Sequence, residues 1–163
     1  MRRIVFTSII GLGLAFGVFY ALSWPATIQG TVGRRVTIEQ ASVNGLIYVG
    51  LGRFRVIGPR DATVVTVKLQ DPSVAIVLEA TRVALVSSNA PLVGVERGPQ
   101  PAVDALPKAP GYVLHPQDEG VFVVSFRAVS AGTFTFHGFI LTYQTGWLTR
   151  TVHLGPTVTV QAA

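Results

Sequence analysis

Three histidines, His115, His137 and His153, are the side chains of this 163-residue chain whose type suits a transition metal. The chain has no cysteine, which excludes thiolate metal sites, cysteine nucleophiles and a lipoprotein anchor. A hairpin with a three-residue loop at Gln144–Gly146 would set His137 directly across from His153, within reach of one ion. Two imidazoles make an incomplete site, and a slip of one residue in register would separate them. Both are flanked by threonines, and the simpler reading is a pair of surface histidines. The metal reading is carried as a rival: an extracytoplasmic metal- or ligand-binding protein using His137 and His153.

Other chemistry finds less support. Nucleophilic catalysis needs a Ser, a His and an acid brought together beside an oxyanion hole, and no G-x-S-x-G elbow is present. Gly50-Leu51-Gly52 lacks the third glycine and following helix of a dinucleotide loop. Asp118-Glu119 is a pair of adjacent carboxylates without the spacing of a calcium loop. The expectation is a non-enzyme with no cofactor. The net charge of +5 comes from scattered basic residues, with no Lys/Arg run of the kind that binds nucleic acid.

The elements that would position these residues begin with a membrane segment. Ile4 to Trp24 is uncharged, and at about 1.5 Å per residue it spans a hydrocarbon core of about 30 Å. Arg2 and Arg3 precede it, which places the N-terminus in the cytoplasm and the rest of the chain in the periplasm or outside the cell. Residues 1–25 are therefore expected to form a single-pass transmembrane anchor; an exported chain with a cleaved signal is the alternative. Gly13, Gly17 and Ala21 share one helix face, and small residues at that spacing let a partner helix approach, whether from a second copy or another subunit.

Residues 26–163 show no helical period. Short runs rich in Val, Thr and Phe alternate with Gly, Pro, Asn and Asp, the pattern of an all-β sandwich or barrel. The expected strands are Arg35–Gln40, Leu46–Ile57, Ala62–Gln70, Val74–Leu78, Arg82–Val86, Gly120–Val129, Thr133–Tyr143 and Trp147–Gln161. In Gly120–Val129, the alternation of Phe122, Val124 and Phe126 with Val123, Ser125 and Arg127 points the even positions at the core. Gly155-Pro156 should break the last strand, as a bulge or a change of sheet would.

From Phe122 through Ser130-Ala131-Gly132-Thr133-Phe134-Thr135-Phe136 to the hairpin at Tyr143 and Trp147, the chain resembles the last three strands of an immunoglobulin-like sandwich. Phe134 and Phe136 stand where such domains commonly carry the corner tyrosine and the second cysteine, so the resemblance implies an antiparallel Ig-like β-sandwich without the disulfide. It covers about Tyr112 to Val160 and implies a fold, not an activity.

Two surface features bear on partners. A proline-rich stretch at about 87–119 is long for a loop inside a compact domain and is expected to be either a stiff crossing between the sheets or a docking arm. In Thr133–Tyr143 the even face carries Phe134, Phe136 and Ile140 inward, which would leave Phe139, Leu141 and Tyr143 exposed on the odd face beside Trp147 as a partner contact. Arg53 and Arg55 share a strand face near Arg60 and could meet an acidic partner. The leading expectation is a non-enzymatic, membrane-anchored extracytoplasmic domain. It would serve as a structural or accessory subunit of a cell-envelope complex, with the membrane and other envelope subunits, or its own copies, as partners. A third expectation, weakened by the lack of a prepilin-type processing site, is a surface filament subunit polymerising through the N-terminal helix.

Overall fold

A computed structural model describes residues 24–86 and 94–163. The expected transmembrane helix and its Gly13/Gly17/Ala21 face lie outside the described residues. Among the described residues no helix is long and apolar enough to cross a membrane.

The chain folds into two packed sheets. Among the described residues the strands are β1 (Thr27–Gly30), β2 (Val32–Ala41), β3 (Ile47–Ile57), β4 (Ala62–Leu69), β5 (Ile76–Leu85), β6 (Val95–Arg97), β7 (Val113–Leu114), β8 (Glu119–Ala128), β9 (Gly132–Thr145) and β10 (Leu148–Ala162), with one short helix, α1 (Pro101–Asp104). The first sheet has the order β1-β3-β8-β5, with β6 also on β3, and the second has the order β2-β10-β9-β4-β7. The orders β1-β3-β8-β5 and β10-β9-β4 follow the A-B-E-D and G-F-C arrangement of an Ig sandwich. The first strand divides between sheets: β1 pairs antiparallel with β3, and after Thr31 the chain continues as β2, parallel to β10.

The expected strands recur, with one merger and three short additions. Val74–Leu78 and Arg82–Val86 are parts of one strand, β5, which stays paired with β8 through a register shift between Leu78 and Ala80. β1, β6 and β7, of 4, 3 and 2 residues, were not foreseen, being too short to show an alternation. Phe122, Val124 and Phe126 do face the core, where Phe122 stacks near Phe54 (ring centroids 4.6 Å) and meets Phe139 edge-on (5.4 Å). Phe126 meets Phe136 edge-on across the sandwich at 5.3 Å, an apolar contact between sheets in a chain that has no cysteine to bridge them.

Two strands change their buried face partway along. In β9, Phe136 is buried from an even position, but beyond Gly138 the buried residues are Phe139, Leu141 and Tyr143. Gly138 has φ +73°, and the pairing with β10 skips between Leu154 and Thr157, so an extra residue on β10 is absorbed there. A Cβ on Gly138 would lie 2.3 Å from the Leu154 carbonyl oxygen, which only glycine permits. In β3 the same occurs at Gly52 (φ +73°), where burial passes from Ile47, Val49 and Leu51 to Phe54 and Val56.

The described part of the proline-rich stretch, from Gly94 onward, is a strap. β6 pairs with β3, and α1 then crosses the outer face of the first sheet, where Val103 packs with Tyr48, Ala84, Val121 and Val123. The Tyr48 hydroxyl donates to Asp104 Oδ2 at 2.9 Å. Burial raises the Tyr48 phenol above its ordinary pKa, and the bond to Asp104 adds to the rise. The strap next runs along β5, where Val83 N–H donates to the Pro107 carbonyl and Ala109 N–H to that of Thr81. It ends as β7 on the edge of β4. Of the two expected forms, the described part is the crossing.

Candidate functional site

A β-sheet edge exposes unpaired N–H and C=O groups, and a folded protein either covers it or uses it. Among the described residues the outermost strands are unequal: β1, β6 and β7 have 4, 3 and 2 residues, whereas β2 has 10. β1 and β6 lie along β3, residues 107–109 along Thr81–Val83 of β5, and β7 along Ala62 and Thr63 of β4. The side of β2 away from β10 faces no strand among the described residues. Near the end of β2, Arg97 Nη2 donates to the Glu39 carbonyl and guards that stretch. The earlier part, from Val32 to Thr37, has no such cover among the described residues, and Val32 is 63% exposed.

The change of sheet is what puts β2 in this position. Thr31 N–H donates to the Arg53 carbonyl of the first sheet at 3.0 Å, while its own carbonyl accepts from Gly155 N–H of the second at 3.0 Å. Gly30 allows the close passage, since a Cβ there would stand 2.6 Å from Leu154 Cδ2 and 2.9 Å from the Arg53 carbonyl oxygen. The crossing leaves a groove of about 540 Å³ whose lining includes Val32, Val36, Val121 and Pro156, with Arg34 and Arg53 beside them. Neither arginine is in a salt bridge among the described residues, whereas Arg55 is held by Glu119 at 3.1 Å. An extended segment laid on β2 could take up its free backbone groups, place a side chain in the groove and present carboxylates to the two arginines.

The sequence-based site residues fall elsewhere. The β9–β10 hairpin has a two-residue loop, Gly146-Trp147, with Thr145 opposite Leu148. That register puts His137 opposite Thr157 and His153 opposite Ile140. The two histidines are therefore offset by three positions, about 10 Å along the strand, and are not the facing pair expected. His137 Nδ1 lies 3.3 Å from Thr157 Oγ1, and His153 Nδ1 lies 3.0 Å from Gln70 Oε1. His115 Nδ1 lies 3.0 Å from Asp61 Oδ1, a contact that raises the imidazole pKa above its ordinary value, chiefly through the hydrogen bond and then through charge. Among the described residues no three His, Cys, Asp or Glu side chains are grouped to hold a metal ion.

The expected partner face is likewise corrected. Phe139, Leu141 and Tyr143 are buried in the core, because Gly138 hands the inward face from even to odd positions. Only Trp147, 83% exposed at the hairpin tip, is at the surface. Phe134 and Phe136 before Gly138 and Phe139, Leu141 and Tyr143 after it thus form one inward face, while Ile140, expected inward, falls on the other face of β9 and is only partly buried. The open β2 edge was missed, although Gly30 and Gly33 around Thr31-Val32 were its trace in the sequence. A pair of glycines three apart in a Val/Thr-rich run marks a place where backbone must bend or pass closely.

No protein-family model matches the chain, and no curated protein does. Among solved structures it is similar to an ASH/PapD-like domain of human CEP192 (PapD-like domain 7), at 11% identity over 85% of each chain with a TM-score of 0.42. It is also similar to a family 123 glycoside hydrolase from Clostridium perfringens, at 9% identity over 84% of this chain with a TM-score of 0.44; the match spans 28% of that enzyme. A third likeness, at 11% identity over 86% of this chain and 99% of the other with a TM-score of 0.39, is to the CooA pilin subunit from enterotoxigenic Escherichia coli. At these identities and scores the likenesses decide nothing about function.

Proposed function

We propose that this chain is a non-enzymatic, single-pass membrane subunit whose extracytoplasmic sandwich binds another cell-envelope protein, accepting an extended acidic segment of it along the open edge of β2. The observation that supports this reading is the contrast among the edges: β1, β6 and β7 have 4, 3 and 2 residues, whereas the ten-residue β2 faces no strand among the described residues and borders a groove flanked by Arg34 and Arg53. Main-chain hydrogen bonds would supply affinity, and the groove and the two guanidinium groups would supply selectivity.

The membrane part of the proposal rests on sequence. The uncharged run Ile4–Trp24 behind Arg2 and Arg3 supports an anchor with its N-terminus in the cytoplasm. The small-residue face Gly13/Gly17/Ala21 supports a second contact with the partner inside the bilayer. Together these make a two-point attachment, in which each contact raises the effective concentration of the other.

The test is mild detergent extraction of the full chain from its native membrane, followed by mass measurement of the intact particle. The expected result is a heteromeric species that dissociates when Arg34 and Arg53 are both replaced by Glu. A strictly monomeric species, or one unaffected by the charge reversal, would count against the proposal.

A further inference from the structure

The chain contains two tryptophans, and the fold brings both to one end of the sandwich. Trp24 is 55% exposed just before β1, and Trp147 is 83% exposed at the tip of the β9–β10 hairpin. Ala26 N–H donates to Thr145 Oγ1 at 3.0 Å, and each tryptophan is two residues from that bond. At 3.3–3.6 Å per residue, each tryptophan Cα lies within about 7 Å of it. The turn after β3 closes the same end: a Cβ on Gly58 would be 3.0 Å from the Pro25 carbonyl oxygen, and one on Gly146 would be 2.6 Å from Arg60 Nη1. Ile57, 44% exposed, belongs to this turn. The nearby carboxylates are paired, Asp61 with His115 and Glu119 with Arg55.

The spacing leaves no room for a linker. The uncharged run ends at Trp24 and β1 begins at Thr27, so only Pro25 and the fully buried Ala26 intervene. Tyr143 ties this junction to the second sheet: its hydroxyl donates to the Ala26 carbonyl at 3.5 Å and accepts from Ile28 N–H at 3.3 Å. If the run spans the bilayer, the domain cannot swing away from it. The headgroup layer on each side is about 5–8 Å thick, the difference between the full bilayer and its hydrocarbon core. Tryptophan, with an apolar ring and one N–H donor, is suited to that layer.

We infer that the Trp147 hairpin tip is a membrane-docking element, inserting its indole into the outer headgroup layer beside the point where the anchor emerges. With Trp24, Ile57 and the Arg60 guanidinium it forms a lipid-facing end, which fixes the sandwich on the bilayer and holds the β2 edge in a constant orientation above it. The inference rests on the anchor reading of residues 1–25.

The test uses the full-length chain reconstituted in phosphatidylcholine vesicles as two single-tryptophan variants, Trp24→Phe and Trp147→Phe, with brominated lipids as depth-dependent quenchers. Alkaline carbonate washing reports whether the chain is embedded. The expected result is an embedded chain in which Trp147 emission, read in Trp24→Phe, is blue-shifted and quenched by shallow-brominated lipid. If the chain resists carbonate but Trp147 emits as in water and is quenched only by aqueous acrylamide, the docking inference is overturned while the anchor stands. Release of the chain by carbonate would overturn both.

Discussion

Replacing Gly138 by alanine puts a methyl group where β9 and β10 come closest, and its cost can be worked from two separate contributions. The first is conformational: Gly138 has φ +73°, and an L-residue held there loses about 1–2 kcal/mol. The second is steric. The new Cβ would be 2.3 Å from the Leu154 carbonyl oxygen and 3.1 Å from that of Gly155, both backbone atoms that cannot rotate away. Relief requires the hairpin to shift, comparable to overpacking a core at about 1–3 kcal/mol. The expected loss is therefore about 2–5 kcal/mol. Gly111→Ala is the matched control, since Gly111 has φ +85° but nothing lies within 4 Å of its Cβ position. It should show only the conformational loss, about 1–2 kcal/mol. Replacing any glycine also stiffens the unfolded chain, an effect common to both variants that cancels in the comparison. The assay is denaturant unfolding of the full chain in a mild detergent, comparing midpoints at unchanged slope. Equal midpoints for the two variants would refute the close approach at Gly138, and with it the transfer of Phe139, Leu141 and Tyr143 into the core.

Further outcomes are expected at other sites. Tyr143→Phe removes the hydroxyl that accepts from the Ile28 N–H and should cost about 1–2 kcal/mol; Thr145→Val, which strands the Ala26 N–H, should cost about the same by the same unfolding measurement. For His115, the Asp61 carboxylate favours the charged imidazole, so the folded pKa lies above the unfolded one. Its stabilising contribution is full below the unfolded value near 6.5 and is lost as pH rises through the raised folded value. Both groups are well exposed and screened, so the readout is the His115 NMR titration, which should move down in Asp61→Asn. Zn(II) titration should find no site tighter than millimolar involving His137 and His153; a micromolar site lost in His153→Asn would contradict the hairpin register.

The sequence made the β-rich sandwich legible because most strands are long and bounded by turn residues: Asn44-Gly45, Gly58-Pro59 and Asp71-Pro72 each fall between strands. The alternation of Phe122, Val124 and Phe126 assigned a buried face correctly because β8 keeps one parity along its length. The same reasoning failed in β9, because a simple period of two cannot see an extra residue absorbed opposite a glycine. Gly138, next to His137 in an otherwise apolar and threonine-rich run, was the available warning. The histidine pairing failed for a related reason: it depended on the length of the turn at Thr145–Leu148, and one residue in the loop changes every partner downstream. The open edge of β2 was beyond a strand-by-strand reading, since an edge is defined by which strands are missing beside it. That depends on where the strap travels, and proline spacing does not reveal its path.

The central claim is tested most directly by site-specific photocrosslinking of the full chain in its native membrane, with the crosslinking residue at Val32 on the open edge and, as a control, at the fully exposed Val74. The account predicts a crosslink at Val32 and not at Val74 to a single envelope protein. The captured peptide should be an acidic, extended segment, and the crosslink should disappear when Arg34 and Arg53 are reversed to Glu. Equal capture at both positions, capture of a second copy of this chain at Val32, or a Val32 crosslink indifferent to the two arginines would contradict it.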